Sequence, residues 1–591
     1  MEPSILHLLQ NSIQRYPDRP ALMYKKSSGD YTTITYQQLD QRIHALAAGL
    51  RGWGIKSGDR IAILSNNCPE WAITDFSAMT ISGIVVPIYQ TLLPRQIAYI
   101  LNDARVRAIF VENQEQLDKI LEIQSDCPSL EKIAVFDATD STGDFHAFSE
   151  LTALGKKEID RQGDRFLEWL DQIDPQAVSS LVYTSGTTGE PKGVMLNQHG
   201  FVFDVINAES VFPLYHTDVF LSFLPLSHLF ERLAGHWCPL YRGGAIAYAE
   251  SIETVIDDLQ MVRPTVMVSV PRLYEKISSK VLSQIESGSA IKKKLFYWAQ
   301  RVGRKYHVQK HGRWITLQYT LADKLVFSKI KAKLGGRFRF PVAGGAPLAV
   351  ETLKFFEAMG LSIIEGYGMT ETHLIIALTP PGNTRYGSCG PPIPGIEVKI
   401  SDDGEILVRG DILMMGYYGK PDLTRESIDD EGWLHTGDIG YMDDDQYIYI
   451  TDRKKNILVT AGGKNVAPAP IENALKRSQY IDDVCLIGDK RKFISAILIP
   501  NFDALTNWAS EQQLDWANQD ELVQLPEIHS LMEAEINLQQ KDFARFEKVK
   551  KFIVLPQPLS IEQDELTPSL KIRRKVVSEH FKDEIETLYL A

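Results

Sequence analysis

The sequence predicts an α/β protein: a large N-terminal region of parallel or mixed sheet covered by helices, followed by a smaller α+β region. Three observations carry this expectation. Over residues 34–173, amphipathic helical stretches alternate with short β-branched runs, the rhythm of parallel strands joined by crossover helices. From Val398 to Asp452 strand and turn signals dominate. Beyond the charged run Asp452-Arg453-Lys454-Lys455-Asn456, the remaining ~135 residues read as a unit of their own.

The elements follow in order. Leu39, Ile43, Leu46, Ala47 and Leu50 recur at i, i+4, i+7, i+8 and i+11, one face of a helix. Residues 61–64 and 84–88 are apolar runs bounded by polar or turn residues and read as buried strands. The same alternation continues through 180–183, 219–224, 265–270 and 340–343. Residues 400–410, with Asp402-Asp403-Gly404 at the turn, read as a hairpin, and 441–450, with Asp443-Asp444-Asp445, as a second. Residues 452–456 lie between two apolar strands. The expected division is therefore 1–451, a connecting hinge at 452–456, and 457–591. The chain shows no internal repeat and no low-complexity segment.

Composition narrows the class. With 44% hydrophobic and 24% charged residues, 40 Gly and 29 Pro, the chain is unlike collagenous, disordered or disulfide-scaffold proteins. Lys and Arg number 63 against 76 Asp and Glu, a net −13, which argues against a nucleic-acid footprint over the whole surface. Cys68, Cys127, Cys238, Cys389 and Cys485 are odd in number and widely spaced, without zinc-like partners, so reduced thiols are expected. The first 17 residues lack the basic and apolar blocks of a secretory signal, and no apolar run approaches the ~18 residues of a membrane span. The expected setting is cytoplasmic, in solution or peripheral at a surface.

The strongest local signal is Leu181-Val182-Tyr183-Thr184-Ser185-Gly186-Thr187-Thr188-Gly189-Glu190-Pro191-Lys192-Gly193-Val194-Met195. A buried strand runs into a loop of hydroxyl residues and glycines, with one lysine near its end, and such a loop can wrap phosphate oxygens. It is not a Walker A motif, because Pro191 stands where glycine must precede the lysine, and Gly193 where Ser or Thr must follow. The string resembles the phosphate loop of the adenylate-forming superfamily, which includes acyl-CoA synthetases, luciferases and peptide-synthetase adenylation domains. Further motifs follow in that family's order. Gly344-Gly345-Ala346-Pro347-Leu348 resembles the adenine-binding turn. Glu365-Gly366-Tyr367-Gly368-Met369-Thr370-Glu371 is similar to the segment whose aromatic ring stacks on adenine and whose final Glu holds Mg²⁺. Trp433-Leu434-His435-Thr436-Gly437-Asp438 resembles the segment whose Asp binds the ribose, Asp452-Arg453-Lys454-Lys455 the hinge, and Gly462-Gly463-Lys464-Asn465-Val466 with Pro470-Ile471-Glu472 the loop after it. Taken singly, Asp438 reads equally as a turn residue, Glu371 as a first-turn helix acid and Arg453 as a surface charge. The resemblance spans about Tyr36 to Tyr589 and implies several subdomains in the large region and mobility of the small one.

It also implies chemistry. A carboxylate attacking the α-phosphate of ATP brings anion against anion, so the site must supply positive charge and N–H donors. The resemblance assigns Lys192, Arg453, and Mg²⁺ on Glu371 and Thr184 to that task; Mg²⁺ keeps several waters and needs only one or two carboxylates. Thr184, Ser185, Gly186, Thr187, Thr188 and Gly189 are assigned to the phosphates, and Gly344, Gly345, Ala346, Tyr367, Gly368, Thr370 and Asp438 to the nucleoside. Arg453, Gly463 and Lys464 complete the nucleotide and cofactor contacts. In Glu565-Leu566-Thr567-Pro568-Ser569-Leu570-Lys571, Lys571 stands where the family keeps the lysine that drives adenylation. The commoner Ser-Gly-Lys is Ser569-Leu570-Lys571 here, a form similar to the long-chain acyl-CoA synthetase branch. Rotation about the hinge, with Lys455 as pivot, would exchange Lys571 for the thiol of coenzyme A. That thiol, with a reference pKa of about 8.5, needs no evident general base against an adenylate.

Leu224-Pro225-Leu226-Ser227-His228-Leu229-Phe230-Glu231-Arg232 is similar to the long-chain branch, where this segment lines the acyl tunnel near the carboxylate. That adds His228 to the catalytic candidates Lys571, Lys192 and Glu371; a packed core histidine and an internal Glu231–Arg232 ion pair are the plainer readings. Residues 291–314 hold Lys292, Lys293, Lys294, Arg301, Arg304, Lys305, Lys310 and Arg313 with five aromatics and no acid. That composition suits anionic lipid headgroups, a solvated helix face or an acidic carrier protein alike. The implied function is ATP-dependent activation of a long-chain fatty acid and transfer to coenzyme A. The enzymatic alternative is an acyl–acyl-carrier-protein synthetase, and a non-catalytic lipid-binding relative would be expected to have lost Lys192, Glu371 or Lys571.

Overall fold

The computed structural model describes residues 2–26, 29–184, 190–251, 254–308, 312–567 and 571–590. Two eight-stranded sheets dominate it. The first runs, in spatial order, Gly416–Tyr417, Lys192–Asn197, Val178–Thr184, Ile84–Ile88, Arg60–Leu64, Ala108–Val111, Lys132–Val135 and His146–Ala147. Its middle is parallel, as the helix–strand alternation predicts, while Lys192–Asn197 and Gly416–Tyr417 add to one edge antiparallel. In the second sheet Phe340–Ala343, Val266–Ser269, Val219–Ser222 and Ala245–Tyr248 form a parallel centre, flanked on one side by Ile364–Tyr367 and on the other by Pro20–Lys25.

Alternation along each strand decides what packs where. Ile61 and Ile63 face the core shared with the second sheet, whereas Ala62 and Leu64 face the outer helices. Phe220 likewise points to the shared core and Leu221 to the helices beyond the second sheet. The helix Pro69–Thr80 lies inside the shared core. Trp71 and Phe76 are buried there with Ala72 and Ala78, and all its residues but Glu70 are buried, as a helix covered on every side requires. The predicted helix is Tyr36–Gly52, opened by a reciprocal Thr35–Gln38 capping box. It crosses Phe148–Gln162 so closely that a Cβ on Gly155 would stand 1.7 Å from the Ala45 carbonyl oxygen.

Both predicted hairpins form: Glu397–Ile400 with Glu405–Arg409, and Leu434–Met442 with Ile448–Arg453, joined in one four-stranded antiparallel sheet. Asp452 and Arg453 end the last strand rather than forming a free linker, because Arg453 still pairs with Asp438 across the ladder; only Lys454–Asn456 leaves it, as a single 3₁₀ turn. Beyond it, Ile481–Ile487, Ile494–Pro500 and Val549–Val554 form a three-stranded mixed sheet. Val484, Leu486, Ala496 and Leu498 pack on one of its faces, Cys485, Ile487, Ile497 and Ile499 on the other. Every member of these two clusters lies at or beyond Leu458. All five cysteines are free thiols. Among the described residues no helix is long and apolar enough to cross a membrane.

Candidate active site

The predicted site residues gather where parallel strands end, outside their carboxyl termini, the usual ligand crevice of such sheets. Thr184 closes Val178–Thr184 and is paired across the ladder with Lys192. Ser185, Gly186, Thr187, Thr188 and Gly189 lie outside the described residues. Phe340–Ala343 ends in Gly344, whose N–H donates to the Ser269 carbonyl at 3.2 Å. Gly345 takes φ +81°, a left-handed turn open to solvent, and Ala346 is exposed beside it. Ile364–Tyr367 ends in Gly368, where a Cβ would stand 1.3 Å from the Leu374 carbonyl oxygen, so only glycine fits.

Two groups of polar contacts stand at these strand ends. In the first, the Lys192 ammonium lies 4.8 Å from the centre of the Tyr417 ring, and the Tyr417 hydroxyl donates to Glu371 Oε1 at 2.9 Å. Burial and the neighbouring Glu371 raise the Tyr417 phenol, keeping it protonated as a donor. Thr370 and Glu371 sit in the 3₁₀ turn Thr370–Thr372, which the buried His373 anchors. Its Nε2 accepts from the Asn197 N–H at 3.0 Å and its Nδ1 donates to the Ile412 carbonyl at 2.8 Å. Burial lowers His373 to about 4, so the ring is neutral and acts as a fixed strut. In the second group, the Tyr367 hydroxyl donates to Asp438 Oδ2 at 2.8 Å and Arg453 Nε donates to Asp438 Oδ1 at 3.1 Å.

The C-terminal region reaches this place. Lys571 is an exposed residue, yet its pKa falls to about 8, first through lost hydration and then through the charge of Arg453, with Asp438 opposing. Lys571 is held by backbone: its N–H donates to Thr567 Oγ1 at 3.0 Å, and its carbonyl accepts from the Thr567 N–H at 2.8 Å. On the large region's side, Arg95 and Gln96 reach Asp564 at 2.9 and 3.2 Å, and Arg573 holds the same carboxylate at 3.0 Å. The charge of Lys571 is felt at His228, which is lowered to about 4 by burial first and by that charge second. The Phe230 N–H donates to His228 Nδ1 at 3.1 Å, so the proton of the neutral ring sits on Nε2. The Phe230 ring in turn packs against Gly344, where a Cβ would stand 2.8 Å from it.

One expectation is corrected here. Glu231 and Arg232 do not pair with each other. Arg232, fully buried, clamps Asp75 of the central helix through Nε and Nη2 and reaches the Ser180 hydroxyl at 2.8 Å, between the rings of Trp71 and Trp237. Successive residues of the π-helix Glu231–Trp237 point apart, and Asp75 sits on the Arg232 side. Removing one partner of such a pair costs about 3–5 kcal/mol. The Glu231 carboxyl is pushed up to about 8 by burial, with the Ser222 hydroxyl opposing, and is neutral at pH 7.

Not every predicted residue joins the site. Gly463 and Lys464 lie on the exposed turn between Leu458–Val459 and Asn465–Val466, where the Lys464 ammonium stands 5.9 Å from the Phe546 ring, away from the strand ends. Lys455 faces the site: its pKa is lowered first by lost hydration and then by Arg453 and Lys192, against the pull of Glu371 and Asp438. Tyr417, His373 and Asp564 escaped the sequence reading. Tyr417 lies 46 residues from the carboxylate it bonds, on a two-residue strand, and no local pattern marks it.

The chain is similar to known proteins. A family model described as AMP-binding enzyme matches residues 9–418, and one described as AMP-binding enzyme C-terminal domain matches 455–591. The chain is 33% identical to the long-chain-fatty-acid–CoA ligase FadD15 of Mycobacterium bovis over 95% of this chain and 93% of that one. It is also 33% identical to the peroxisomal long chain acyl-CoA synthetase 7 of Arabidopsis thaliana, over 95% of this chain and 82% of that one. Among solved structures, the anthranilate CoA ligase AuaEII in complex with anthranoyl-AMP superposes with a TM-score of 0.74 at 20% identity, covering 99% of this chain and 100% of that one. The adenylation domain of a carboxylate reductase from Mycobacterium chelonae gives 0.75 at 23% identity, covering 100% and 91%.

Proposed function

The chain belongs to the AMP-binding enzyme family, and on that premise we propose that it is a long-chain fatty acid–CoA ligase. A fatty acid carboxylate oxygen attacks the α-phosphorus of ATP, and the bond to pyrophosphate breaks. The coenzyme A sulfur then attacks the acyl carbon, the bond to AMP breaks, and the thiol proton is released. The observation that carries this reading is geometric: Arg95 and Gln96 hold Asp564, seven residues before Lys571, at the strand ends, and Arg453 and Asp438 lie within electrostatic reach of Lys571. Cationic groups from both regions thus surround one crevice, where charge develops as the carboxylate meets the phosphate. The relatives named above favour coenzyme A over a carrier-protein thiol as acceptor.

Roles follow from placement. Lys192 and the loop before it take the phosphates. Tyr367, Gly368, Thr370 and the turn Gly344–Ala346 take the adenine, and Asp438, held by Tyr367 and Arg453, takes the ribose. Neutral His228 offers Nε2–H to the acid's carboxylate. Glu371 and the Thr184 hydroxyl are hard oxygen donors and suit Mg²⁺, which would neutralise phosphate charge when bound. On this reading Lys571 serves the adenylation step, while Gly463 and Lys464, on an exposed turn, serve the second. Their contact with coenzyme A requires the second orientation, reached through the proposed hinge 452–456 between 1–451 and 457–591. Peripheral contact with a membrane belongs to the same reading, since the substrate is a lipid.

The test is a panel of acids from acetate to arachidic acid, with coenzyme A or acyl carrier protein as acceptor, reading AMP formation. Long-chain acids with coenzyme A are expected to give the highest kcat/KM. Activity confined to short or aromatic acids would overturn the substrate class, and turnover with carrier protein alone would overturn the acceptor.

A further inference from the structure

The helix Ala290–Val308 packs on Arg313–Ala322, which the π-helical turn Asp323–Phe327 continues. Tyr306 and Tyr319 stack between them at 4.2 Å. Their inner sides enter the core through Phe296, Ala299 and Val302 on one helix and Ala322, Val326 and Phe327 on the other. With that side spent on the core, the outer side of the second helix ought to be polar. Instead Trp314, Leu317, Leu321 and Leu325 are 69, 61, 49 and 38% exposed. Their spacing of three, four and four residues places them in one stripe. A single exposed leucine needs no explanation, but four large apolar side chains in line mark a contact surface.

The stripe has a basic border. Arg313 lies four residues before Leu317 and Lys324 three after Leu321, both exposed. On the neighbouring helix Lys294, Arg301 and Lys305 recur at i, i+7 and i+11, again exposed. The ion pairs of this region use Lys293, Arg304 and Lys331 instead, and among the described residues none of those five cations joins one. In a chain of net charge −13 this is a local reversal.

We propose that this helical pair is a membrane-docking face, the stripe entering the headgroup–acyl boundary and the basic border meeting anionic phospholipid. An acidic carrier protein would match the charges but leave the row of leucines unexplained. A second copy would bring the same cations against themselves. Lipid supplies both the hydrocarbon and the anionic headgroups. The proposal draws its biological sense from the reading of the enzyme as acting on long-chain fatty acids, which partition into bilayers, but vesicle binding is measured without turnover, so either can fail alone.

The experiment is flotation of the full chain with vesicles of phosphatidylcholine alone or mixed with phosphatidylglycerol. The chain is expected to float with the mixed vesicles and to be released by salt. W314A/L317A/L321A should weaken binding on the order of a hundredfold, and R313Q/K324Q by about fivefold per charge removed. R313K/K324R should bind as the original does. All variants should keep AMP formation from detergent-dispersed fatty acid. Failure of the original chain to float with mixed vesicles, or equal flotation of the triple variant, would overturn the proposal. So would stripe-dependent capture of acyl carrier protein or stripe-dependent dimerisation in the absence of vesicle binding.

Discussion

The two sides of the active site are built differently. On the large region's side, each group is set by a strand end and locked by a second contact: Glu371 by Tyr417, the turn behind it by His373, Asp438 by Tyr367 and Arg453. On the small region's side, Lys571 hangs from a backbone loop fastened to Thr567, and the fastening of that region to Arg95 is an exposed ion pair. Buried, doubly held groups are preorganised and costly to move, while an exposed pair is worth about 0.2–1 kcal/mol and is easily exchanged. The contrast fits a reaction in two steps. On the proposed assignment, the phosphate side would serve the first step in place and Lys571 would leave for the second.

The contrast can be broken most directly at Lys571. Lys571→Ala should reduce fatty-acid-dependent pyrophosphate release by about 10²–10³-fold, as loss of one transition-state charge partner does. Thiolysis of supplied acyl-adenylate should be spared; equal loss of both half-reactions would place Lys571 in both orientations. Glu371→Gln should lower pyrophosphate release by about 10²-fold and shift its Mg²⁺ dependence to higher concentration, since the amide no longer offers an anionic oxygen to a hard cation. An unchanged Mg²⁺ profile would remove Glu371 as the metal-holding group.

A finer test uses pH. Lys571 is depressed to about 8, so its positive charge is present below that value and lost as pH rises through it. In free enzyme, kcat/KM for pyrophosphate release should therefore decline near pH 8 rather than near the ordinary lysine value. The thiolysis step should not share that decline at the same pH. The smallest effect is expected at the fastening. Asp564→Asn should change the first half-reaction by no more than about fivefold, the worth of an exposed pair, and leave thiolysis equal or faster. A large loss in both would show that Asp564 holds the fold of the small region rather than its orientation.

How much of this was legible in the sequence depends on distance along the chain. The strings that hold Thr184 and Lys192, Gly344–Ala346, and Glu365–Glu371 are each contiguous in the sequence and each adjoins a strand end. Tyr417 and His373 are absent from any such string, since their partners come from distant segments: Tyr417, on the edge of the first sheet, meets Glu371 in a turn that follows a strand of the second, and His373 is held by Asn197 and the Ile412 carbonyl. The Glu231–Arg232 expectation failed for the same reason: neighbours in sequence invite pairing, but the backbone turned them to different surroundings and supplied Asp75 from 157 residues away.

By itself, then, the sequence determined the α/β class, the order of the motifs and the kinds of groups available, because periodicity and local turn chemistry are written in consecutive residues. Tertiary structure alone decided which groups meet. It brought Asp564, near Lys571, onto Arg95, set Tyr417 on Glu371 and left the leucine stripe facing water, because contacts between distant segments are fixed by how sheets and helices pack.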